Sequence, residues 1–385
     1  DQWMVFSHYT ERGWTVDNLW HIFTDFYGGQ YAPLAFLSYL VLYAGFGYDP
    51  FYFHMFSLLL HIGCVCLVWK LISSLLRVHG GVSEKQILYV NFITTLLFAV
   101  HPINVEAVAW ISALKVLLYA FFYLLGLLCY LRYIRTSKIF YYVLTIGCFL
   151  CSFWGKEQAV TFPLALLIVD WFTNRNMKNL EVWSEKMSFL IMAFFFGIIT
   201  VLSQGKGPYE MIFPLYQRLL FGCFALVEYI TKSLLPVNLN FFYPFPIVLG
   251  EEPPLHYYLY PVVLLFLMGW IIAYRNNRYL VFGVLLFLVN LLFSIHLFNM
   301  SRHAIVADRY MYLSYVGIAF LIANGIWWLR KRLSYFKAAL VFLFFYCFFL
   351  SVYTFHYTKK WENTTMVKKY TKEVLEKRLN GSNHL

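Results

Sequence analysis

Four polar side chains interrupt the apolar stretch between residues 96 and 133, namely His101, Asn104, Glu106 and Lys115. An ionisable side chain at membrane depth is costly unless it has a partner or a task, so each one indicates a function or a buried contact. A simpler interpretation stays open, in which His101 and Pro102 form a turn and Glu106 caps the helix that follows.

Further polar side chains interrupt apolar sequence elsewhere: Asp1, His8, Gln30 and Tyr31; Lys156 and Glu157; Asn238, Asn240 and Tyr243; Arg302, His303, Asp308 and Arg309. Cations of this kind suit a phosphate or pyrophosphate. A carboxylate in the first loop suits a general base acting on a hydroxyl. The alternatives are a local ion pair around Asp308 and a pair, Lys156 and Glu157, whose charged ends reach to the membrane surface.

The composition places these residues in a membrane protein. The chain is 61% hydrophobic and only 13% charged, against roughly 25% charged residues in soluble domains. Apolar runs long enough to cross a bilayer recur throughout. We therefore predict an all-α polytopic integral membrane protein of about 10–12 transmembrane helices, with spans near 51–76, 87–100, 113–134, 139–153, 157–171, 187–203, 257–274, 279–296, 310–329 and 338–355.

Charge divides the loops into two sets. One set holds fourteen cations: Arg77, Lys85, Arg132, Arg135, Lys138, Arg175, Lys178, Lys186, Arg275, Arg278, Arg330, Lys331, Arg332 and Lys337. The other set holds five: Arg12, Lys156, Lys206, Arg302 and Arg309. The excess of cations on cytoplasmic loops predicts that the second set, with most of the unusual polar residues, faces outward.

The segments that do not fit a simple span are expected at the membrane surface. In the first fifty residues we predict two interfacial helices, one capped by Asp17 or Asn18 and one over 32–47. Residues 216–236 are long enough to cross, but both neighbouring loops belong to the outer set. We predict an interfacial or re-entrant helix there.

Several other classes of site lack support. The net charge of +11 follows the basic loops and does not indicate nucleic-acid binding. The seven cysteines lie in apolar runs, and we interpret them as small apolar residues. His54 and His61 are more simply interpreted as hydrogen-bonded histidines than as ligands. No spacing supports a metal site, although a divalent metal stays open.

The order of motifs resembles the transmembrane and tetratricopeptide-repeat-containing (TMTC-like) O-mannosyltransferases and their bacterial relatives, which are GT-C glycosyltransferases. The matching segments are "DQWMVF" (1–6), "GGQYAPLAFLSY" (28–39), "FHMFSLLLHI" (53–62), "HPINVEAVAWIS" (101–112), "GKEQAVTFPLALLIVDWF" (155–172), "KSLLPVNLNFFYPFP" (232–246), "ADRYMYLSYVGIAF" (307–320) and "HYTKKWENTTMVKKYTKEVLEK" (356–377). Of these, "HPINVEAVAW" is the most specific. The matches span nearly the whole chain in the family's order.

The resemblance implies a GT-C-like enzyme that transfers a sugar, such as mannose, from a polyprenyl phosphate to a Ser or Thr hydroxyl of an exported protein, with inversion. Asp1 and Glu106 are the implied catalytic residues. The implied lipid-phosphate-binding residues are His101, Lys115, Lys156, Tyr243, Arg302, His303, Asp308 and Arg309. The expected partners are membrane lipid, the lipid-linked sugar, the acceptor protein and other membrane or periplasmic subunits.

The chain departs from the family pattern beside Lys115. Leu114 and Val116 stand where relatives often carry Arg and Asp, and Ala32 stands where Arg or His is common. These losses favour an alternative, a catalytically degenerate membrane subunit that acts as a scaffold or anchor.

Three regions are expected: a first outer loop (1–50), a transmembrane GT-C-like domain (51–355) and an outer helical tail (356–385) where repeats would begin. The short loops and the lack of repeats favour a bacterial inner membrane with periplasmic active-site loops. The endoplasmic reticulum is the alternative.

Overall fold

The computed structural model describes residues 4–204, 213–297 and 304–382. The described residues form helices joined by short turns and 3₁₀ segments, with two isolated β-bridges and no longer strand. The helices are α1 (His8–Glu11), α2 (Val16–Thr24), α3 (Pro33–Phe46), α4 (Pro50–His79), α5 (Glu84–Val100), α6 (Val105–Ala109), α7 (Leu114–Thr136), α8 (Ile139–Gly155), α9 (Phe162–Phe172), α10 (Leu180–Gln204), α11 (Leu215–Leu234), α12 (Leu259–Ala273), α13 (Arg278–Leu291), α14 (Met311–Trp328), α15 (Leu333–Thr358) and α16 (Thr364–Ser382).

The predicted all-α polytopic membrane architecture is confirmed. Within the described ranges, six helical segments are long and apolar enough to cross a bilayer: Pro50–His79, Ile111–Thr136, Leu180–Ser203, Leu255–Ala273, Asp308–Lys331 and Leu333–Trp361. A seventh is formed if Glu84–Val100 and Pro102–Ala109, which meet at a bend of 50°, are one broken span. This count is below the predicted one because α8, α9 and α13 have only 17, 11 and 14 residues.

Two local predictions are wrong. Thr15 caps α2, since its hydroxyl accepts the Asn18 N–H at 3.2 Å. The Asn18 side chain instead donates to the carbonyls of Tyr9 and Gly13, and Asp17 lies inside the helix. The predicted span 279–296 ends as a helix at Leu291. The chain then turns, and the Ser294 hydroxyl accepts from the Gln158 side chain at 2.7 Å.

The first fifty residues pack onto the bundle. Apolar side chains of α1–α3 form one cluster with Phe53 of α4 and with Leu114 and Leu118 of α7. The Tyr39 hydroxyl donates to the Ile111 carbonyl at 2.9 Å. The loop is thus held over the end of the bundle where α7 begins.

Helices α13 and α14 approach closely through two glycines. A methyl group on Gly317 would come within 2.5 Å of the Gly283 carbonyl oxygen and 2.7 Å of the Phe287 nitrogen. Both neighbours are backbone atoms, so the helices would have to separate. Small residues at such crossings let helix backbones pack tightly in membranes.

We therefore expect Gly317→Ala to destabilise the protein by about 1–3 kcal/mol through overpacking. The matched control is Gly325→Ala on the same helix, where an added methyl would meet nothing within 4 Å. Thermal unfolding in one lipid–detergent mixture measures both variants. Equal melting temperatures for the two would contradict the close approach.

Charged loops group at the two ends of the bundle. At one end, the His79 ring lies with Nδ1 at 2.8 Å from the Phe172 carbonyl, and Arg278 donates to the Trp171 carbonyl at 2.6 Å. At the other end lie Glu106, Lys115 and the start of α14. The α14 helix of 18 residues separates these ends by about 27 Å.

Candidate functional site

An ion pair between α6 and the start of α14 forms the centre of the candidate site. Glu106 is fully buried. One carboxylate oxygen accepts from the Arg309 guanidinium at 2.5 Å, and the other accepts the Arg309 backbone N–H at 2.7 Å. Because both oxygens are engaged by Arg309, Glu106 suits orienting that guanidinium better than accepting a proton from substrate.

Two lysines lie beside this pair. Lys115, from the first turn of α7, is buried and donates to the Gln30 side chain of the first loop. Lys156, at the end of α8, lies 4.6 Å from the centre of the Tyr310 ring. The Arg309 guanidinium lies 5.2 Å from the centre of the same ring, and Lys115 lies near both of these cations and near Glu157. Three cations from three elements therefore converge, an arrangement that suits an anion such as a phosphate.

Asp308, the residue before Arg309, is held by two side chains from other parts of the chain. It accepts from the Lys232 ammonium at 3.0 Å and from the Tyr243 hydroxyl at 2.8 Å. Burial, then the nearby Asp308 charge, raises the pKa of Tyr243, so this phenol stays protonated and donates. The Lys232 ammonium also lies 3.4 Å from the centre of the Tyr243 ring. This triad fixes the segment that carries Arg309.

His101 lies where the chain bends between α5 and α6, ahead of Glu106. Its Nδ1 accepts the Ile103 N–H at 3.2 Å, and its ring packs 4.2 Å from that of Tyr315. The Asn104 amide donates to the Phe98 carbonyl, which the end of α5 leaves without an intrahelical donor. The sequence placed His101 in the phosphate site, but these contacts fit a role in turning the chain so that Glu106 reaches Arg309.

An open groove adjoins the site. It has a volume of about 900 Å³ and is lined by Trp110, Phe241 and Trp361 on one side and by α16 on the other. The Arg309 guanidinium lies 5.4 Å from the centre of the Trp110 ring. The side chains of α16 that line the groove are largely polar, among them Lys368, Thr371, Lys372 and Glu376. Trp110 therefore connects the cation cluster to a groove with one aromatic and one polar wall.

The sequence prediction of the site divides into three groups. Glu106, Lys115, Lys156 and Arg309 lie together, and Tyr243 and Asp308 support them. Asp1, Arg302 and His303 lie outside the described residues. His101 lies at the helix break, where its ring nitrogen accepts the Ile103 N–H. Leu114 and Val116, where the chain departs from the family pattern, are buried among apolar side chains, with Leu114 packed under the first loop.

Sequence reasoning missed two kinds of residue. Lys232 was not among the predicted site residues, although it begins the matching segment "KSLLPVNLNFFYPFP". A second buried network, at the opposite end of the bundle, joins Asp170, Arg175, Glu185 and Lys186 through direct ion pairs. Asp170 interrupts the apolar run of α9, which was the available signal.

The histidines were predicted to be hydrogen-bonded, and His61 is. Its Nδ1 lies 2.7 Å from the Tyr312 hydroxyl, and Nε2 lies 3.3 Å from the Ala99 carbonyl. Over the described ranges, no group of three or more His, Cys, Asp or Glu side chains is arranged to hold a metal ion.

Comparison with curated proteins finds several relatives. The chain is 32% identical to protein O-mannosyl-transferase TMTC2 of mouse over 189 residues, which are 45% of this chain and 21% of the relative. It is 33% identical to the human TMTC2 protein over the same share of each chain. It is 28% identical to Tmtc3 of Drosophila melanogaster over 172 residues, 40% of this chain and 18% of the relative.

The predicted resemblance to the TMTC proteins is confirmed. The aligned part spans about a fifth of the length of these curated relatives. No protein-family model and no solved structure matches the chain.

Proposed function

We propose that the chain is the membrane-embedded catalytic part of a glycosyltransferase. It would move a sugar, such as mannose, from a polyprenyl phosphate to a Ser or Thr hydroxyl of an exported protein. The relatives named above are protein O-mannosyl-transferases. The observation that carries the proposal is the convergence of Lys115 and Lys156 on the Arg309 guanidinium, which Glu106 holds in place.

The cations would act on the leaving group. In a single inverting displacement, the acceptor oxygen bonds to the anomeric carbon of the sugar. The bond from that carbon to the phosphate oxygen breaks at the same time. Negative charge then grows on the departing polyprenyl phosphate. Preorganised cations stabilise such charge without reorganising during the reaction. Arg309 is the best placed of the three, because Glu106 fixes its orientation and 20% of its side chain stays exposed.

The proton of the acceptor hydroxyl needs a base. We assign this role to Asp1, because the first outer loop resembles that of the TMTC-like family. Glu106 is assigned the positioning of Arg309 instead, because both of its oxygens bind that residue. Tyr243, Lys232 and Asp308 are assigned the support of the segment that carries Arg309.

The groove beside Trp110 is the proposed approach for the acceptor polypeptide. Its polar wall on α16 suits a peptide, while Trp110, Phe241 and Trp361 suit apolar side chains or a sugar face. We place the candidate site on the periplasmic face of a bacterial inner membrane, or on the equivalent lumenal face of the endoplasmic reticulum.

One observation favours a different class of function. Leu114 and Val116 are buried apolar residues, so the first turn of α7 lacks the charges that relatives often carry beside Lys115. A non-catalytic subunit that anchors other chains is therefore the second candidate.

A transfer assay separates the two candidates. Membranes from a host that lacks the gene receive the full-length protein and polyprenyl-phosphate [³H]mannose, and label in the protein fraction is counted. We expect labelling above the empty-vector membranes, and its loss in Asp1→Asn. Arg77→Gln is the control, since Arg77 is exposed and pairs with the exposed Glu84 at 3.0 Å. Membranes that contain folded protein but gain no label would favour the anchoring subunit.

A further inference from the structure

A second cavity lies at the end of the bundle opposite the candidate site. It has a volume of about 690 Å³ and lies between the ends of α12 and α14 and the start of α13. Aromatic rings line much of it, including Trp270, Tyr274 and Trp327. Trp and Tyr at the ends of membrane helices favour the level of the lipid headgroups.

The wall of this cavity that α12 forms is not part of the buried core. None of the residues of α12 is buried. The helix packs mainly along α11, and its remaining surface carries large exposed apolar side chains such as Leu265, Phe266 and Trp270. In a bilayer these side chains meet hydrocarbon, so the opening between α12 and α14 is accessible to lipid acyl chains.

The cavity carries positive charge. Among the residues that the structure describes, Arg330 and Lys331 line it, whereas no Asp or Glu does. The Arg330 guanidinium lies 4.4 Å from the centre of the Trp327 ring. Neither cation pairs with a carboxylate in the described part of the chain. The amide side chains of Gln86, Asn277 and Asn324 also line the cavity.

Cations at the end of α14 have a simpler interpretation, because they interact favourably with the helix dipole and follow the bias of cytoplasmic loops. Both effects need only surface charge. Neither accounts for a lipid-accessible cavity in which two cations, aromatic rings and amides meet. An anionic group attached to acyl chains satisfies all of these features together.

We propose that this cavity binds a membrane phospholipid with an anionic headgroup. Arg330 and Lys331 contact its phosphate and headgroup charge. Trp270, Tyr274 and Trp328 lie at the level of the glycerol backbone, and the acyl chains follow the opening between α12 and α14. This site is about one α14 length away from the cation cluster and does not depend on the proposed transfer reaction.

The test compares defined lipids on the purified full-length protein in nanodiscs. Native mass spectrometry counts lipids retained from phosphatidylglycerol and from phosphatidylcholine at equal mole fractions. Taking about a fivefold change for each cation in contact with the headgroup, we expect at least about tenfold preferential retention of phosphatidylglycerol. The double variant Arg330→Gln/Lys331→Gln is expected to abolish this preference.

Two further variants separate the cavity from general surface charge. Arg275→Gln/Lys337→Gln removes two cations from the same face of the bundle but not from the cavity, and should leave the preference unchanged. Gly325→Phe keeps both cavity cations but fills space, since a side chain there starts where nothing lies within 4 Å. It should lower lipid retention.

Four results would overturn the proposal. The first two are equal retention of the two lipids and an unchanged preference for phosphatidylglycerol in the Arg330→Gln/Lys331→Gln variant. The third is an equal loss of this preference in the Arg275→Gln/Lys337→Gln variant. The fourth is full displacement of the bound lipid by millimolar inorganic phosphate. The last result would assign the cavity to a free anion.

Discussion

Replacing Arg309 and Glu106 together by glutamine should strongly lower the rate of sugar transfer while leaving the protein folded. The double variant exchanges a buried ion pair for two amides that can still hydrogen-bond, so no buried charge is left alone. It removes the cation that the proposed reaction places against the departing phosphate. Loss of one preorganised donor of this kind typically lowers a rate about 100- to 1,000-fold. The measurement is the initial rate of label transfer, normalised to folded protein.

Single variants show which member of the pair acts on substrate. Arg309→Lys keeps the charge but loses the planar fork that binds both Glu106 and a phosphate, and should retain only partial activity. Glu106→Gln keeps the guanidinium but weakens its orientation, and should lower the maximal rate more than it weakens donor binding. Arg77→Gln, far from the site, should transfer at the normal rate. Full activity in the double variant would remove Arg309 from the mechanism.

The second large effect is expected on stability, from Asp308→Asn. Lys232 is almost fully buried, and its ammonium lies 3.0 Å from Asp308. Removing one partner of a buried ion pair leaves an uncompensated charge and costs about 3–5 kcal/mol. Glu228, at 3.8 Å from the same ammonium, offsets part of this, so the lower end of that range is expected. Thermal unfolding of the purified protein measures the loss.

A double-mutant cycle tests the physical cause. Lys232→Met/Asp308→Asn removes both charges, and the new amide oxygen can still accept from the Tyr243 hydroxyl. The double variant should therefore be markedly more stable than Asp308→Asn alone. A double variant no more stable than the single one would show that the loss does not come from the stranded Lys232 charge.

The sequence predicted the helices well because membrane spans carry a strong local signal. Residues 113–134 were predicted and Leu114–Thr136 is observed, and 338–355 lies within Leu333–Thr358. Local signals fail where a helix end depends on a distant contact. The chain turns after Leu291, where Gly222 of α11 closely approaches the Ile295 carbonyl. No pattern within residues 279–296 carries that information.

The candidate site was predictable in its location but not in its contacts. Charge counting across the loops grouped Glu106, Lys156 and Arg309 at one end of the bundle. The pairing of Glu106 with Arg309 joins residues 203 positions apart, and a single sequence contains no measure of such a contact. The resemblance implied a catalytic Glu106, whereas its contacts favour the positioning of Arg309.

The most direct test of the account is a cryo-electron microscopy map of the full-length protein in nanodiscs with polyprenyl phosphate. The account predicts phosphate density within hydrogen-bond distance of the Arg309 guanidinium, bordered by Lys115 and Lys156, with Glu106 still bound to Arg309. Phosphate density elsewhere on the protein, with this cluster closed by its own side chains, would contradict the proposed donor site.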